Sequence, residues 1–304
     1  MKLIEKERLQ AKVRGEVRFD EPLKYHTSFR VGGPAEVLII PQDIQDLKEI
    51  LKYLNEKAID YSIFGNGTNL LVPDNGIDGV VIKLAGTINN INIEGDTIYT
   101  GAGATLPTVA KRATKHGLSG LEFAAGLPAT VGGATVMNAG LGTGNDMSTI
   151  ISKVRVLTKE GKMKILNRED CNFSYRKSRF QTEDLIIVEV EFLLEPGDQQ
   201  KIESKMKELV TKRKESQPLT MPNAGCIFKN PTGDSAGRLI DEAGGKGLSV
   251  GGAEVSKKHA NFIVNTGEAT AQDILKLMER VQNLIKEEYG FDLEREVQIL
   301  SSRR

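Results

Sequence analysis

Two stretches decide the interpretation of this chain: FGNGTNLLV at Phe64–Val72 and GLPATVGGATVMNAG at Gly126–Gly140. Both are rich in Gly, Asn, Thr and Ala and contain no charged residue. Because glycine has no Cβ and adopts positive φ, such runs let backbone N–H groups approach a ligand closely. Converging N–H groups form an anion site. One such run is most often a turn, but two in one chain predict an extended ligand with a pyrophosphate in its middle.

Two common nucleotide-binding motifs are missing. No G-x-x-x-x-G-K-[ST] segment occurs, which argues against a P-loop nucleotidase. The nearest approach to a Rossmann G-x-G-x-x-G motif is GAGATL at Gly101–Leu106, which lacks the third glycine. A Rossmann dinucleotide site therefore has no support.

Composition narrows the class of protein. The 304 residues include 41 Lys and Arg against 41 Asp and Glu, a balance that argues against general binding to nucleic acid or membrane surfaces. Two cysteines, Cys171 and Cys226, without a Cys/His cluster argue against a disulfide framework or a metal site. Residues 1–17 are charged throughout and resemble no signal peptide. No apolar run approaches the roughly 18 residues of a membrane span. We therefore expect a cytoplasmic protein.

The order of helical and extended patterns predicts an α+β fold. Residues 1–20 are expected to form a charged helix or arm, and Glu195–Asp198 is a predicted domain boundary. Further helices are predicted from Asp43, over Leu106–His116, over 199–216 and from Thr270. Strands are predicted at Tyr61–Phe64, Gly79–Leu84, Ile88–Ile93, Thr97–Thr100, Lys153–Thr158, Lys162–Leu166, Asp184–Leu194, Asn261–Val264 and Leu293–Leu300.

Further motifs carry a resemblance to a known family. After the two glycine-rich stretches come NFSYRKS (Asn172–Ser178), NAGCIFKNP (Asn223–Pro231), KHANFIVN (Lys258–Asn265) and LEREV (Leu293–Val297). In this order, from about Tyr25 to Leu300, the chain resembles the UDP-N-acetylenolpyruvoylglucosamine reductases (MurB), and its length resembles the more compact subclass. The resemblance implies a vanillyl-alcohol-oxidase-type FAD domain in two subdomains, 1–84 and 85–196. It also implies a substrate domain, 197–290, and a C-terminal segment, 291–304, that packs near the first subdomain.

The resemblance also implies an activity. In this family of bacterial peptidoglycan synthesis, NADPH reduces FAD and is replaced by UDP-N-acetylglucosamine-enolpyruvate. Hydride then passes to the enolpyruvyl CH₂ carbon and a proton to the adjacent carbon, which gives UDP-N-acetylmuramate. The partners expected are therefore these small molecules, and we expect a monomer without nucleic-acid or membrane partners.

The resemblance assigns the FAD site to the two glycine-rich stretches. The first contributes backbone N–H groups toward the pyrophosphate, and Gly132-Gly133 lets the second come close to the ligand. The expected cofactor-binding residues are Gly65, Asn66, Gly67, Thr68, Asn69, Gly126, Pro128, Ala129, Gly132, Gly133 and Asn138.

Three residues are expected to be catalytic. Arg176 is expected to stabilise the enolate-like charge that hydride addition places on the substrate carboxylate, with Arg179 as a weaker candidate. Cys226 stands where most of the family has Ser; a free thiol, with a pKa of about 8.5, is mostly protonated at neutral pH and can donate the proton. Nearby Lys229 and Arg176 would oppose this by favouring the thiolate. Glu296 matches the family's catalytic glutamate, and Glu294, two residues away, remains possible.

Other residues are expected to contact substrate, and Cys171 is expected to be a buried structural thiol. The expected substrate-binding residues are Tyr175, Arg213, Lys229, Asn230, Lys257 and His259. Two further functions stay open: an oxidase of a small alcohol or hydroxy acid on the same FAD domain, and a flavin- or nucleotide-sugar-binding protein without turnover.

Overall fold

The computed structural model describes residues 3–141 and 145–301. The start of the predicted opening arm (1–2) and the end of the predicted C-terminal segment (302–304) lie outside the described residues. The helices are α1 (Leu3–Lys12), α2 (Ile44–Glu56), α3 (Leu106–Lys115), α4 (Val131–Val136), α5 (Gln199–Ser216), α6 (Ala236–Glu242) and α7 (Ala271–Tyr289). In the part of the chain described, no helix is both long and apolar enough to span a bilayer.

The strands belong to three larger sheets and two short pairs. They are β1 (Glu16–Pro22), β2 (Pro34–Ile40), β3 (Tyr61–Phe64), β4 (Leu70–Leu71), β5 (Ile77–Lys83), β6 (Ile91–Glu94), β7 (Thr97–Gly101), β8 (Leu118–Ser119), β9 (Ile151–Thr158), β10 (Met163–Asn167), β11 (Leu185–Leu193), β12 (Glu195–Pro196), β13 (Ser249–Val250), β14 (Ala253–Val255), β15 (Ile263–Asn265) and β16 (Gln298–Ile299).

The first sheet has the order β1-β2-β5-β3, and β5 runs parallel to both β2 and β3. Because parallel strands end at the same edge, the loops that follow Phe64 and Lys83 leave the sheet side by side. Helix α2 begins at its N-cap Asp43, whose carboxylate accepts from Asp46 N–H at 2.8 Å. Its apolar face packs on this sheet, which fixes the edge from which the first glycine-rich stretch departs.

The second sheet is antiparallel, with the order β10-β9-β11-β7-β6. Its core contains the buried faces of β9 and β11, helix α3 and the start of the second glycine-rich stretch. The strands predicted at Lys153–Thr158 and Lys162–Leu166 are present as β9 and β10, which form a hairpin with Met163 opposite Leu157. Strand β6 begins three residues later than predicted, because Ile88 has a φ of +44° and cannot belong to a strand.

A third sheet, β13-β14-β15, packs with α6 and α7 around a separate core. Helix α7 begins with a capping box between Thr270 and Asp273 and ends at Gly290, whose φ is +74°. The amide of Ala271 donates to Asp74 Oδ1 at 2.7 Å, so the first turn of this helix is also attached to the first sheet's loops.

Two predictions about the chain ends were wrong in detail. The opening arm is helical only to Lys12, and the charged segment after it forms the edge strand β1. Within the predicted strand Leu293–Leu300, only β16 is regular; it pairs in parallel with β4, and Arg295 forms an isolated bridge with Phe228. Because the segment pairs with two different partners in turn, it does not form one continuous strand, and Ile299 is exposed.

Candidate active site

A cavity of about 1320 Å³ lies between the two glycine-rich stretches. Pockets for one drug-sized ligand measure about 300–1000 Å³, so this cavity has room for a dinucleotide and part of a second ligand. We call its glycine-rich walls the cofactor cradle. Of the predicted cofactor-binding residues, those that line it are Gly65, Asn66, Gly67, Thr68, Asn69, Gly126, Pro128, Ala129, Gly132 and Gly133.

The first wall of the cradle is glycine-rich because other parts of the chain approach it closely. A Cβ on Gly67, whose φ is +65°, would lie 2.2 Å from the carbonyl oxygen of His26. A Cβ on Gly65 would lie 2.1 Å from Thr130 Oγ1, which belongs to the second wall. Asn66 Nδ2 also donates to the Pro128 carbonyl at 2.9 Å. The two stretches therefore form one continuous surface.

The second wall turns into helix α4. The N-cap Thr130 accepts from Gly133 N–H at 3.2 Å. Gly132 N–H donates to the Ala102 carbonyl at 2.8 Å, and a Cβ there would lie 2.9 Å from Ala102 Cβ. Gly132 therefore serves close packing on the second sheet as well as the cavity wall. Small residues and backbone groups on both walls fit a dinucleotide with a central pyrophosphate such as FAD.

Asn138 was expected to contact the cofactor, but the structure places its side chain inside the protein. Its side chain is buried: Nδ2 donates to the Ser174 carbonyl at 3.0 Å, and Oδ1 accepts from Ser148 N–H at 2.9 Å. Both polar atoms are therefore used inside the protein, and Asn138 does not line the cavity. It supports the turn that carries the next functional residue.

Arg176 lies at the tip of a tight turn. Ser174 and Lys177 exchange backbone hydrogen bonds of 3.0 and 3.1 Å, and Arg176 between them has a φ of +53°. A non-glycine residue in this region is strained, by about 1–2 kcal/mol, and such strain is often found at functional sites. Its guanidinium donates to Glu296 Oε1 at 2.8 Å and to the carbonyls of Asn138 and Gly140 at 3.3 and 2.7 Å.

Two distant segments bring Cys226 and Glu296 to the same place. Glu296 N–H donates to the Ile227 carbonyl at 2.7 Å, and Lys229 N–H donates to the Glu294 carbonyl at 2.8 Å. Cys226 and Glu296 both line the cavity together with Arg176, and we call these three residues the reaction end.

Glu294 and Glu296 have different surroundings, although they were expected to share one face. The Glu294 side chain is 61% exposed and accepts from Lys229 Nζ at 2.7 Å, which holds the pKa of its carboxyl below the usual value. The Glu296 side chain is 17% exposed, and burial raises the pKa of its carboxyl against the opposing effects of Arg176 and Lys229. The geometry therefore favours Glu296 over Glu294 at the cavity.

The Cys226 thiol is protonated at neutral pH. Burial, reinforced by Glu296, raises its pKa to about 12, although Arg176 and Arg213 act in the opposite direction. The expected depression by Lys229 and Arg176 is therefore outweighed. Cys171 packs in the core under the second sheet, as expected for a structural thiol. Burial there raises its pKa to about 11.

The predicted substrate residues divide into two groups. Tyr175, Asn230, Arg213 and His259 line the cavity. The structure does not bring the other two to the cavity: Lys229 is held by Glu294, Lys257 is exposed, and neither lines the cavity. Arg179, the weaker alternative to Arg176, pairs with Glu183 at 2.8 Å and is likewise absent from the lining.

The four lining residues are positioned by specific contacts. The Tyr175 hydroxyl accepts from Asn230 N–H at 3.3 Å, and its ring lies 5.2 Å from the Arg176 Cζ. Arg213 Nε donates to Gln217 Oε1 at 3.0 Å, and its Nη1 donates to the Gly126 carbonyl. Burial lowers the pKa of His259, helped by Lys246, so its ring is neutral at pH 7.

Some lining residues were missed by sequence reasoning. His26 and Lys83 line the cavity beside the cradle, and Leu219 and Met221 form an exposed apolar part of its rim. Lys83 could have been found, because a charged residue follows the apolar run Val80–Ile82 at the end of strand β5, at the edge that precedes the cradle. His26 had no such signal. Among the described residues, no group of three or more His, Cys, Asp or Glu side chains could hold a metal ion.

Comparisons with known proteins identify the family. The model for the C-terminal domain of UDP-N-acetylenolpyruvoylglucosamine reductase matches residues 217–300, and an FAD binding domain model matches residues 35–167. The enzyme of that name from Caldanaerobacter subterraneus subsp. tengcongensis is 46% identical over 289 residues, 95% of each chain. The chain belongs to the UDP-N-acetylenolpyruvoylglucosamine reductase family. UDP-N-acetylenolpyruvoylglucosamine reductase 2 of Symbiobacterium thermophilum is 45% identical over 96% of each chain.

A solved structure of the family supports the fold. The reductase (MurB) from Thermus caldophilus has 40% sequence identity and a TM-score of 0.80, over 94% of this chain and 98% of that one. The α+β prediction with a vanillyl-alcohol-oxidase-type FAD domain is therefore confirmed. Membership in the family also gives FAD as the cofactor and NADPH as the reductant. The absence of a Rossmann motif agrees with this type of FAD domain.

Proposed function

We propose that this chain reduces UDP-N-acetylglucosamine-enolpyruvate to UDP-N-acetylmuramate in peptidoglycan synthesis, with FAD as cofactor and NADPH as reductant. The observation that carries the proposal is the meeting of Arg176, Glu296 and a protonated Cys226 in the wall of one cavity with a cradle for FAD. An oxidase of a small alcohol would have no use for a proton donor at this position.

Arg176 is proposed to bind the carboxylate of the enolpyruvyl group. Reduced FAD, when bound, supplies the hydride for the CH₂ carbon. Hydride addition moves negative charge onto the carboxylate, and a fixed guanidinium stabilises that charge more in the transition state than in the substrate. An arginine has five N–H donors, and each guanidinium nitrogen of Arg176 uses one of them in the protein. Two donors are left for a carboxylate.

Cys226 is proposed to donate the proton. Its Sγ–H bond breaks as a C–H bond forms at the carbon beside the carboxylate, and the thiolate is then reprotonated from solvent. A pKa of about 12 ensures that the thiol carries its proton before the step. The enolate-like carbon is a strong base, so a weak acid in contact with it can still act as the donor.

Glu296 is proposed to orient Arg176 and the donor rather than to transfer the proton itself. Its carboxylate holds Arg176 Nε at 2.8 Å, and its negative charge contributes to the raised pKa of Cys226. Asn69 Nδ2 donates to the Glu296 carbonyl at 3.1 Å, so the first wall of the cradle is connected to the reaction end.

The polar residues that line the cavity outside the reaction end are proposed to contact the rest of the substrate. They are Tyr175, Arg213, Asn230 and His259. Arg213 is half-buried, which lowers its pKa, and its guanidinium has donors left for an anionic group of the substrate. The domain boundaries near residues 84 and 196, a monomeric state and a cytoplasmic location complete the proposal.

An anaerobic absorbance titration tests the function. FAD is first supplied to the protein, NADPH is then added, and UDP-N-acetylglucosamine-enolpyruvate follows. We expect the flavin absorbance to bleach with NADPH and to return with the enolpyruvyl substrate. Flavin that NADPH does not bleach would favour the oxidase, and flavin that bleaches but is not reoxidised by the substrate would overturn the proposed reaction.

A further inference from the structure

A row of hydrogen-bonded side chains lies beside the cradle, outside the reaction end. Lys83 Nζ lies 3.2 Å from His26 Nδ1, and His26 Nε2 lies 2.8 Å from Glu21 Oε1. A lysine ammonium group can only donate, so Nδ1 accepts and Nε2 carries the hydrogen that Glu21 accepts. The row therefore uses a neutral imidazole, and its contacts hold the Lys83 ammonium group in one place.

The row of side chains lies next to the first wall of the cradle. Lys83 ends β5 in register with Phe64, the residue that precedes Gly65. The carbonyl oxygen of His26 is the atom that a Cβ on Gly67 would meet at 2.2 Å. Both Lys83 and His26 line the cavity. The ammonium group is thus placed next to the backbone surface that suits a pyrophosphate.

Among the described residues, Lys83 has no carboxylate paired with its ammonium group. In residues 3–141 and 145–301 it forms no ion pair, and the hydrogen bond to His26 is the contact that orients it. Partial burial lowers the pKa of its ammonium group, Arg18 lowers it further, and Glu21, on the far side of His26, raises it. A nearby phosphate would oppose this combined effect and favour the charged form.

We propose that Lys83 binds a phosphate of the FAD pyrophosphate and that His26 is its positioning residue. The inference rests on the proposed use of FAD and adds to the backbone cradle a side-chain cation that no family motif supplied. A lysine is suited to this task as a point charge that can meet either phosphate oxygen.

Equilibrium binding of FAD to the apoprotein, followed by quenching of flavin fluorescence, tests the proposal without turnover. Because a hydrogen bond to a charged group is stronger than one between neutral groups, Lys83→Met should weaken FAD binding by roughly tenfold or more. Lys83→Arg should recover most of the affinity. Lys52→Met is the matched control, since Lys52 is exposed and pairs with Glu56 within helix α2; it should bind FAD as the unchanged protein does.

A pH series distinguishes a phosphate contact from a structural role. Partial burial lowers the pKa of Lys83, so its ammonium group in the free protein loses its proton as the pH rises toward the range in which lysines titrate, and the unchanged chain should lose FAD affinity with rising pH. Lys83→Arg should lose little, because a guanidinium remains charged. Lys83→Met should follow a flat profile at its weaker affinity. Parallel profiles for the three proteins would overturn the proposal.

A double-mutant cycle tests the positioning role of His26. His26→Ala should weaken FAD binding in the unchanged chain but cost little more in the Lys83→Met background, because its effect passes through Lys83. Additive losses would overturn the positioning role. If Lys83→Met binds FAD normally while the unchanged chain is reduced by NADPH and reoxidised by substrate, this inference fails and the proposed function stands. If the unchanged chain binds no FAD, the proposed function fails, and this inference with it.

Discussion

The cofactor cradle is built mainly from backbone groups, whereas the reaction end is built from side chains. The cradle consists of backbone and small side chains from two continuous runs, and its shape depends on Cβ atoms that are absent. The reaction end consists of three long or reactive side chains, Arg176, Cys226 and Glu296, that lie 50 and 70 residues apart in sequence. Backbone can be placed by local turns, whereas a catalytic side chain needs partners from elsewhere in the fold.

This difference has a consequence for mutations. A change in the cradle should alter how tightly FAD is bound and how stable the fold is, and should leave the proton step alone. A change in the reaction end should slow the proton step and should leave FAD affinity and the stability of the fold unchanged. Rates of reduction by NADPH and of reoxidation by substrate, together with FAD affinity, distinguish the two kinds of change in each variant.

The largest effect is expected for Cys226→Ala. Removal of a general acid slows a reaction by about 10²–10⁴-fold, and only the step that takes the proton should be affected. Stopped-flow measurements should therefore show normal bleaching by NADPH and slow reoxidation by the enolpyruvyl substrate. Cys226→Ser keeps a hydroxyl proton and should recover much of the rate. The buried Cys171→Ala is the control. Normal reoxidation in Cys226→Ala would contradict the assignment of the donor.

A smaller but still large effect is expected for Arg176→Lys. An ammonium group keeps the charge but cannot reproduce the planar fork that binds a carboxylate, and loss of one such donor costs about 10²–10³-fold in rate. The decrease should appear in reoxidation, whereas FAD affinity should not change. Arg179→Lys is a matched control, because Arg179 pairs with Glu183 away from the cavity lining. Equal losses in the two variants would indicate a structural role for Arg176.

The same difference explains what could be predicted from the sequence. The cradle could be predicted because its residues are neighbours and their composition is unusual, and the exclusion of a Rossmann motif was equally local. The catalytic residues could be named only through the resemblance, since a lone arginine, cysteine or glutamate has no distinctive pattern. Asn138 shows the limit of such local reasoning: it belongs to the second run by sequence, but its side chain points into the protein and supports the Arg176 turn.

Electrostatics and pairing required the three-dimensional structure. Lys229 was predicted to bind substrate from its motif, yet Glu294, 65 residues away, lies 2.7 Å from its Nζ. Similarly, the sequence suggested that cations would lower the pKa of Cys226, and burial reverses that direction. Neither the partner of a lysine nor the burial of a thiol is a local property, and both decide what the side chain can do.

A cradle variant should have a moderate effect on a different measurement. Gly67→Ala places a Cβ 2.2 Å from the His26 carbonyl oxygen at a φ of +65°. We expect weaker FAD binding and a melting temperature of the apoprotein lowered by several degrees. Gly95→Ala is the control, because Gly95 also has a positive φ, +57°, but has no atom within 4 Å of the added Cβ. The control should show only the strain of the left-handed conformation, about 1–2 kcal/mol. Equal destabilisation would mean that the close approach contributes nothing.

The smallest effect is expected where the two regions join. Asn138→Ala leaves the Ser174 carbonyl and the Ser148 N–H without their side-chain partner, at a cost of about 1–3 kcal/mol for each buried group that water does not reach. Because Ser174 begins the turn that carries Arg176, reoxidation should slow by about tenfold, as expected when a reactive group is displaced. FAD affinity should stay the same, since Asn138 does not line the cavity. Weaker FAD binding with an unchanged rate of reoxidation would contradict this. Asn138 would then belong to the cradle and not to the residues that support the reaction end.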